Sequence, residues 1–197
     1  MAMQREAGLT QTPRRRYDAG VIIVSALSHA QDLVARLRPA RSLSLMAPWQ
    51  RVVFNEAWLP EQRLILAFND VVETGSVHVA PDDAIVRSII EFAHGCESGQ
   101  DVLVHCWMGV SRSPAAAYII ACARAPGDEH AIAEELRRCS PVATPNRLMV
   151  AIADDILARN GRMVEAIEHI GRGVEYDGDA APFCLRLDWR DGPAHQI

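Results

Sequence analysis

The chain has 197 residues, with 25 acidic against 20 basic groups and a net charge of −5. That length suits one domain with short tails, and the acidic balance argues against nucleic acid or an anionic membrane as the main partner. Every basic residue counted is an arginine, which excludes Schiff-base lysine chemistry and lysine phosphate clamps. Five cysteines, at 96, 106, 122, 139 and 184, are an odd number without a CxxC spacing. They read as free thiols in a reducing, cytoplasmic setting, not as a disulfide framework or a zinc site. No apolar run reaches the length of a membrane span. Arg14-Arg15-Arg16 precedes an apolar stretch at 21–27 and has the outline of a signal peptide. The stretch is short, follows Asp18 and supplies a strand, so residues 1–18 are read as a flexible tail.

Residues 21–24 (Val-Ile-Ile-Val) are continuously apolar and β-branched, the mark of a strand buried on both faces. Ser28 is placed to cap a short helix with Leu33, Val34 and Leu37 on one face, ended by Pro39. Residues 43–46 read as a second strand. Residues 47–62, with Pro48, Trp49, Trp58 and Pro60, read as irregular, and 64–68 as a third buried strand. Pro81-Asp82-Asp83 opens a helix in which Ile85, Ile89, Phe92, Ala93 and Cys96 recur at helical spacing, with Gly99 as its stop. A strand at 102–104 runs straight into His105-Cys106, and a helix apolar on nearly all sides follows over 115–123. Residues 128–138, 144–159 and 161–170 give three more helices. Phe183, Leu185, Leu187 and Trp189 alternate as a half-buried strand does. Alternating strands and helices predict an α/β domain with a mostly parallel central sheet flanked by helices. Its expected bounds are 19–172, with 173–197 as an extension packing on it.

The chemistry concentrates in residues 105–114, His-Cys-Trp-Met-Gly-Val-Ser-Arg-Ser-Pro. Ligands of open α/β sheets bind beyond the carboxyl ends of the strands, where helix N-termini point. Cys106 stands at such an end, and residues 107–112 form a loop before a helix that Pro114 can start. Gly109 permits the turn, and the loop can aim several backbone N–H groups at an anion. Amide donors, a helix N-terminus and a nearby arginine favour a cysteine's nucleophilic thiolate. Arg112 offers a planar fork that grips two phosphate oxygens, which lysine does not. The Ser113 hydroxyl can donate to the sulfur and ease its departure. Trp107, Met108, Gly109, Val110, Ser111 and Arg112 are the candidate substrate-binding residues.

The spacing Cys-x5-Arg, with His before the cysteine and Ser after the arginine, resembles the signature of the protein-tyrosine-phosphatase superfamily. HCxxGxSRSP followed by an alanine-rich helix is most similar to the dual-specificity branch. Pro145-Asn146-Arg147-Leu148 and Ala153-Asp154 resemble small bacterial predicted protein-tyrosine phosphatases. The likeness covers roughly residues 60–160. It implies a cysteine-dependent phosphatase fold and a general acid some thirty to forty residues before the cysteine, where Asp70 stands 36 residues upstream. Asp82 and Asp83 compete for that role but sit where carboxylates cap a helix. The likeness further implies that His105 supports the loop through hydrogen bonds and that Asn146 steadies it. A first-turn helix residue is the plainer reading of Asn146.

The resulting expectation is a phosphatase that needs neither metal nor cofactor. Its substrate would be a phosphorylated protein or a small phosphate monoester, protein phosphotyrosine first, because the loop carries Trp107 and Met108 and no extra cation. Two alternatives stay open. One is a lipid, nucleotide or RNA 5′-phosphate substrate, and the other a catalytically inactive phosphoprotein-binding module. No nucleic-acid or membrane partner is expected. A rhodanese-like sulfurtransferase fits the Ser-Arg-Ser-Pro ending poorly.

Overall fold

A computed structural model describes residues 20–54, 62–73, 75, 77–96 and 99–186. The tail expected over 1–18, Trp58 and positions 187–189 of the last strand lie outside the described residues. Five strands form one mixed sheet: β1 (Val21–Ala26), β2 (Arg41–Met46), β3 (Arg63–Ala67), β4 (Val102–Cys106) and β5 (Phe183–Arg186). Their order is β3-β2-β4-β1-β5, with β1 to β4 mutually parallel and β5 antiparallel to β1. The two continuous apolar runs, β1 and β4, lie side by side in the interior of the sheet, and β4 is buried along its whole length. Such runs need cover on both faces, and helices supply it.

Helix α1 (Leu27–Leu37) covers one face, where Ala30, Leu33 and Val34 pack with Ile23, Phe54 and Leu103. The larger core lies on the other face, under α2 (Asp83–His94), α3 (Arg112–Arg124), α4 (Glu129–Cys139), α5 (Arg147–Ile156) and α6 (Arg162–Ile170). At its centre α3 is buried from Arg112 through Cys122, as an apolar-all-round helix must be. Fully burying side chains such as Ile119 and Ile120 stabilises by roughly 1.5–3 kcal/mol each. The Tyr118 hydroxyl, otherwise stranded in that core, reaches the carbonyls of Glu129 and Met163.

Several boundaries differ from the sequence expectation, each for a local reason. Helix α1 begins at Leu27 with Ala26 as its cap, so Ser28 lies inside the helix and caps nothing. Strand β3 is only partly buried because it is the sheet's edge, and Ile65 is half exposed. Helix α2 stops at Gly95, four residues before Gly99, while Asp82 caps its start by accepting the Ile85 N–H at 2.9 Å. Helix α3 starts three residues early, at Arg112, which leaves a loop of residues 107–111. Helix α5 is shorter at both ends: Asn146 caps it, and left-handed backbone at Ala158 and Asn160 follows it. The C-terminal segment is more than an extension, since Phe183 to Arg186 pair with β1 and add a strand to the central sheet.

All four parallel strands end at one edge. The segments that follow them, beginning at residues 27, 47, 68 and 107, therefore gather there, and Cys106 sits level with Ala26 in that row.

Candidate active site

Residues 107–111 take their shape from outside. The carbonyl of Trp107 accepts from the N–H of Leu27 (3.2 Å), that of Met108 from Ala180 (2.9 Å), that of Val110 from Thr144 (2.8 Å) and that of Ser111 from Ala115 and Asn146 (3.0 and 3.3 Å). No described peptide bond is cis. In a planar trans peptide the N–H opposes the C=O, so outward carbonyls turn the N–H groups of Met108, Gly109, Ser111 and Arg112 inward. One of these reaches the sulfur: Gly109 N–H donates to Cys106 Sγ at 3.3 Å. Gly109 has φ +78°, and a Cβ there would stand 2.7 Å from the Ala26 nitrogen. Glycine is required both for the left-handed backbone and for the close approach to β1. The loop thus has the backbone form of a nest at the N-terminus of α3, an arrangement able to receive an anion.

Ser113 lies 3.2 Å from the same sulfur through its hydroxyl, whose other neighbour is the Ser25 carbonyl at 3.4 Å. The side chain of Arg112 is buried. Its Nη1 donates to the Phe68 carbonyl at 2.9 Å, and the guanidinium rests 5.9 Å from the Phe68 ring centre. Its Nε has no hydrogen-bond partner among the described residues and lies 3.9 Å from Asp70 Oδ2, beyond hydrogen-bond reach. A buried guanidinium donor without an acceptor is costly unless a ligand meets it.

Asp70 stands just beyond β3, in the segment opened by Phe68. Its Oδ1 accepts from the Ser111 hydroxyl and from Asn146 Nδ2, both at 2.8 Å. Asn146 also donates to the Val71 carbonyl at 3.0 Å, caps α5 by accepting the Met149 N–H at 3.0 Å, and is itself buried. One asparagine therefore ties the Asp70 segment, the Cys106 loop and α5 together. Asn69 folds the Asp70 segment: its N–H donates to the Val79 carbonyl at 2.7 Å, and its Oδ1 accepts the Val79 N–H at 3.0 Å. Asp82 and Asp83 stand apart from the cleft, the first capping α2 and the second paired with Arg87 at 3.5 Å.

No family model and no curated protein matches this chain. The chemistry is carried by the residues themselves. Cys106, Arg112, Asp70, Trp107, Met108, Val110 and Ser111 line one cleft of about 460 Å³, and Ala47, Trp49, Gln50, Asn69 and Tyr176 complete its wall.

His105 does not face that cleft. Strand alternation turns it to the α1 side of the sheet, where it is wholly buried, stacks edge-on against Phe54 and pairs Nε2 with Ser44 Oγ at 2.7 Å. Burial, reinforced by the Arg63 charge, pushes its pKa down to about 4. It is a neutral strut in the strand that ends at Cys106. The other cysteines are thiols whose pKa burial raises: Cys139 to about 12, Cys184 to about 11, and Cys96 and Cys122 also upward.

Sequence reasoning did not single out Trp49, Tyr176 or Thr144. Trp49 and Tyr176 come from irregular segments without periodicity, and Thr144 acts through its backbone and as an acceptor for the Gly173 N–H. No residue pattern signals such roles. Asn146, read as a first-turn helix residue or a loop support, stands just outside α5 as its cap, and its backbone N–H donates to the Ser111 carbonyl.

Proposed function

We propose that this protein is a metal-independent, cysteine-dependent phosphatase that hydrolyses phosphate monoesters, protein phosphotyrosine foremost. The observation that carries the reading is the loop whose Gly109 N–H donates to the Cys106 sulfur, with Arg112 Nε, free of hydrogen bonds, and the Asp70 carboxyl at the same cleft. The fold class it implies is that of cysteine-dependent phosphatases.

In the first step the Cys106 thiolate attacks phosphorus, an S–P bond forms and the ester P–O bond breaks. Protonated Asp70 gives its proton to the departing oxygen. The inward amides and Arg112 hold the equatorial oxygens as charge spreads over them. In the second step water attacks the phosphocysteine, Asp70 accepts the water's proton, and the S–P bond breaks to release phosphate. The Ser113 hydroxyl, 3.2 Å from the sulfur, stabilises the returning thiolate.

The test uses a chromogenic aryl phosphate in the presence of a chelator. Cys106→Ser abolishes turnover while phosphate binding persists, Arg112→Lys is severely impaired because the fork is lost, and vanadate inhibits the unmodified protein. Normal turnover in either variant, or a strict need for a divalent metal, refutes the proposal.

A further inference from the structure

We infer that Trp49, Trp107 and Tyr176 form a slot for the ring of an aryl phosphomonoester, the phosphotyrosine side chain, and that Trp49 and Tyr176 determine specificity for it. The inference rests on the phosphatase reading and names its substrate class from residues outside the phosphate loop.

Three rings from three separate segments meet at the cleft: Trp49 from the turn after β2, Trp107 from the phosphate loop, and Tyr176 from the segment after α6. They are 70%, 45% and 52% exposed, beside Met108 at 41%. Trp49 and Trp107 lie with ring centres 6.0 Å apart and planes inclined at 57°, with Trp49 mostly exposed and Trp107 a little under half. Large aromatic surface held in water contributes nothing to the core, and grouped at a cleft it marks a binding wall.

Backbone bonds hold the segments that carry Trp49 and Tyr176 in place. The Trp49 turn is closed on itself, Gln50 N–H to the Ala47 carbonyl (2.9 Å) and Ala47 N–H to Gln50 Oε1 (2.7 Å). The Tyr176 segment is pinned on both sides, by Gly173 N–H to Thr144 Oγ1 (3.0 Å) and Val174 N–H to the Pro141 carbonyl (3.0 Å) before it, and by Ala180 N–H to the Met108 carbonyl (2.9 Å) after it. At Gly173 a Cβ would come 2.4 Å from the Val142 oxygen, so only glycine brings the segment this close. The same Ala180 bond shapes the phosphate loop, which couples the position of Tyr176 to the nest. In an aryl phosphate the ring is bonded directly to the ester oxygen. With the phosphate in the nest, the ring is therefore at the mouth, among these three side chains and the polarisable Met108. A phosphothreonine places a methine and its own backbone there.

The experiment compares the full chain with Trp49→Ala, Tyr176→Ala, Trp49→Phe and Tyr176→Phe. Substrates are a phosphotyrosyl peptide, free phosphotyrosine and the matching phosphothreonyl peptide, with inorganic phosphate as inhibitor. Each alanine variant lowers kcat/KM on both aryl substrates by about three- to tenfold, mainly through KM. The phenylalanine variants restore it, and the phosphate inhibition constant and the phosphothreonyl rate stay unchanged. Equal losses on aryl and alkyl phosphates, no loss at all, or a loss confined to the phosphotyrosyl peptide each overturn the slot. An unmodified protein that hydrolyses none of the three refutes the phosphatase reading and the slot with it. An active protein with indifferent variants removes the slot alone.

Discussion

Replacing His105 tests how the sheet supports the nucleophile, because this neutral histidine carries a stability signature in pH. Its pKa is about 4 in the folded protein, against about 6.5 for an unperturbed imidazole. Between these values the unfolded chain binds a proton that the folded chain refuses, so stability rises with pH and falls as pH drops. The contribution is fully present above about pH 6.5, about 1 kcal/mol weaker near pH 5.5 and about 3 kcal/mol weaker near pH 4. His105→Gln keeps a donor and an acceptor for Ser44 but cannot ionise. Urea unfolding of both proteins from neutral pH to about pH 4 isolates the term, since every other titrating group is common to the two. The unmodified protein should lose stability more steeply, by roughly 3 kcal/mol over the window, whatever the offset between the two at neutral pH. Parallel profiles would refute the reasoning and mean that His105 is hydrated or ionised in the folded state. A steeper loss in the variant would reverse the sign and exclude a buried neutral imidazole.

Gly109→Ala forces a left-handed alanine against the Ala26 nitrogen at 2.7 Å. It should cost about 1–3 kcal/mol in urea unfolding and about 10²-fold in turnover as the nest shifts; wild-type values for both would remove the close approach from the argument. Asp70→Asn should lower kcat on phosphotyrosine by roughly 10²–10⁴, and less on esters with acidic leaving groups, whereas Asp82→Asn and Asp83→Asn should leave that dependence alone. Leaving-group dependence moving to Asp82 or Asp83 would displace Asp70 as the acid. Peroxide should oxidise Cys106 before the others, because burial holds Cys96, Cys122, Cys139 and Cys184 as thiols, and phosphate should protect it. Mass spectrometry of alkylated thiols that found Cys139 or Cys184 oxidised first would contradict this.

Those residues whose roles are local were legible in the sequence. The continuous apolar runs at 21–24 and 102–104 give two adjacent interior strands, and the all-apolar run after Pro114 gives the most buried helix. Cys106, Gly109, Arg112 and Ser113 are read from spacing because one loop and one helix turn bring them together. Asp70 required a likeness to a family, since nothing near it in sequence says that Asn146, 76 residues away, will meet its carboxyl. The edge position of β3 was not legible, because an apolar pentapeptide reads alike at an edge and in the middle of a sheet. Helix ends failed where a backbone conformation decides, as at the left-handed Ala158 and Asn160 after α5, and where capping residues were wanted elsewhere. Residues 144–146 extend no helix because Thr144 and Asn146 bond to the loop after Cys106 and Asn146 also to the Asp70 segment.

The arrangement around Asp70 fixes more than its position. Both strong donors, the Ser111 hydroxyl and Asn146 Nδ2, fall on Oδ1. An oxygen accepting two hydrogen bonds has no free lone pair for a proton, so a proton on this carboxyl belongs on Oδ2. Oδ2 is also the oxygen 3.9 Å from Arg112 Nε, on the side of the phosphate fork. In the proposed mechanism the proton that Asp70 donates would therefore stand on the side of Arg112. Ser111 and Asn146 act as positioning residues: each touches the carboxyl, and neither needs to touch the reacting atoms. These bonds join the Asp70 segment to the Cys106 loop and to the start of α5. Under the proposed mechanism a phosphate would enter a site whose proton donor is already oriented.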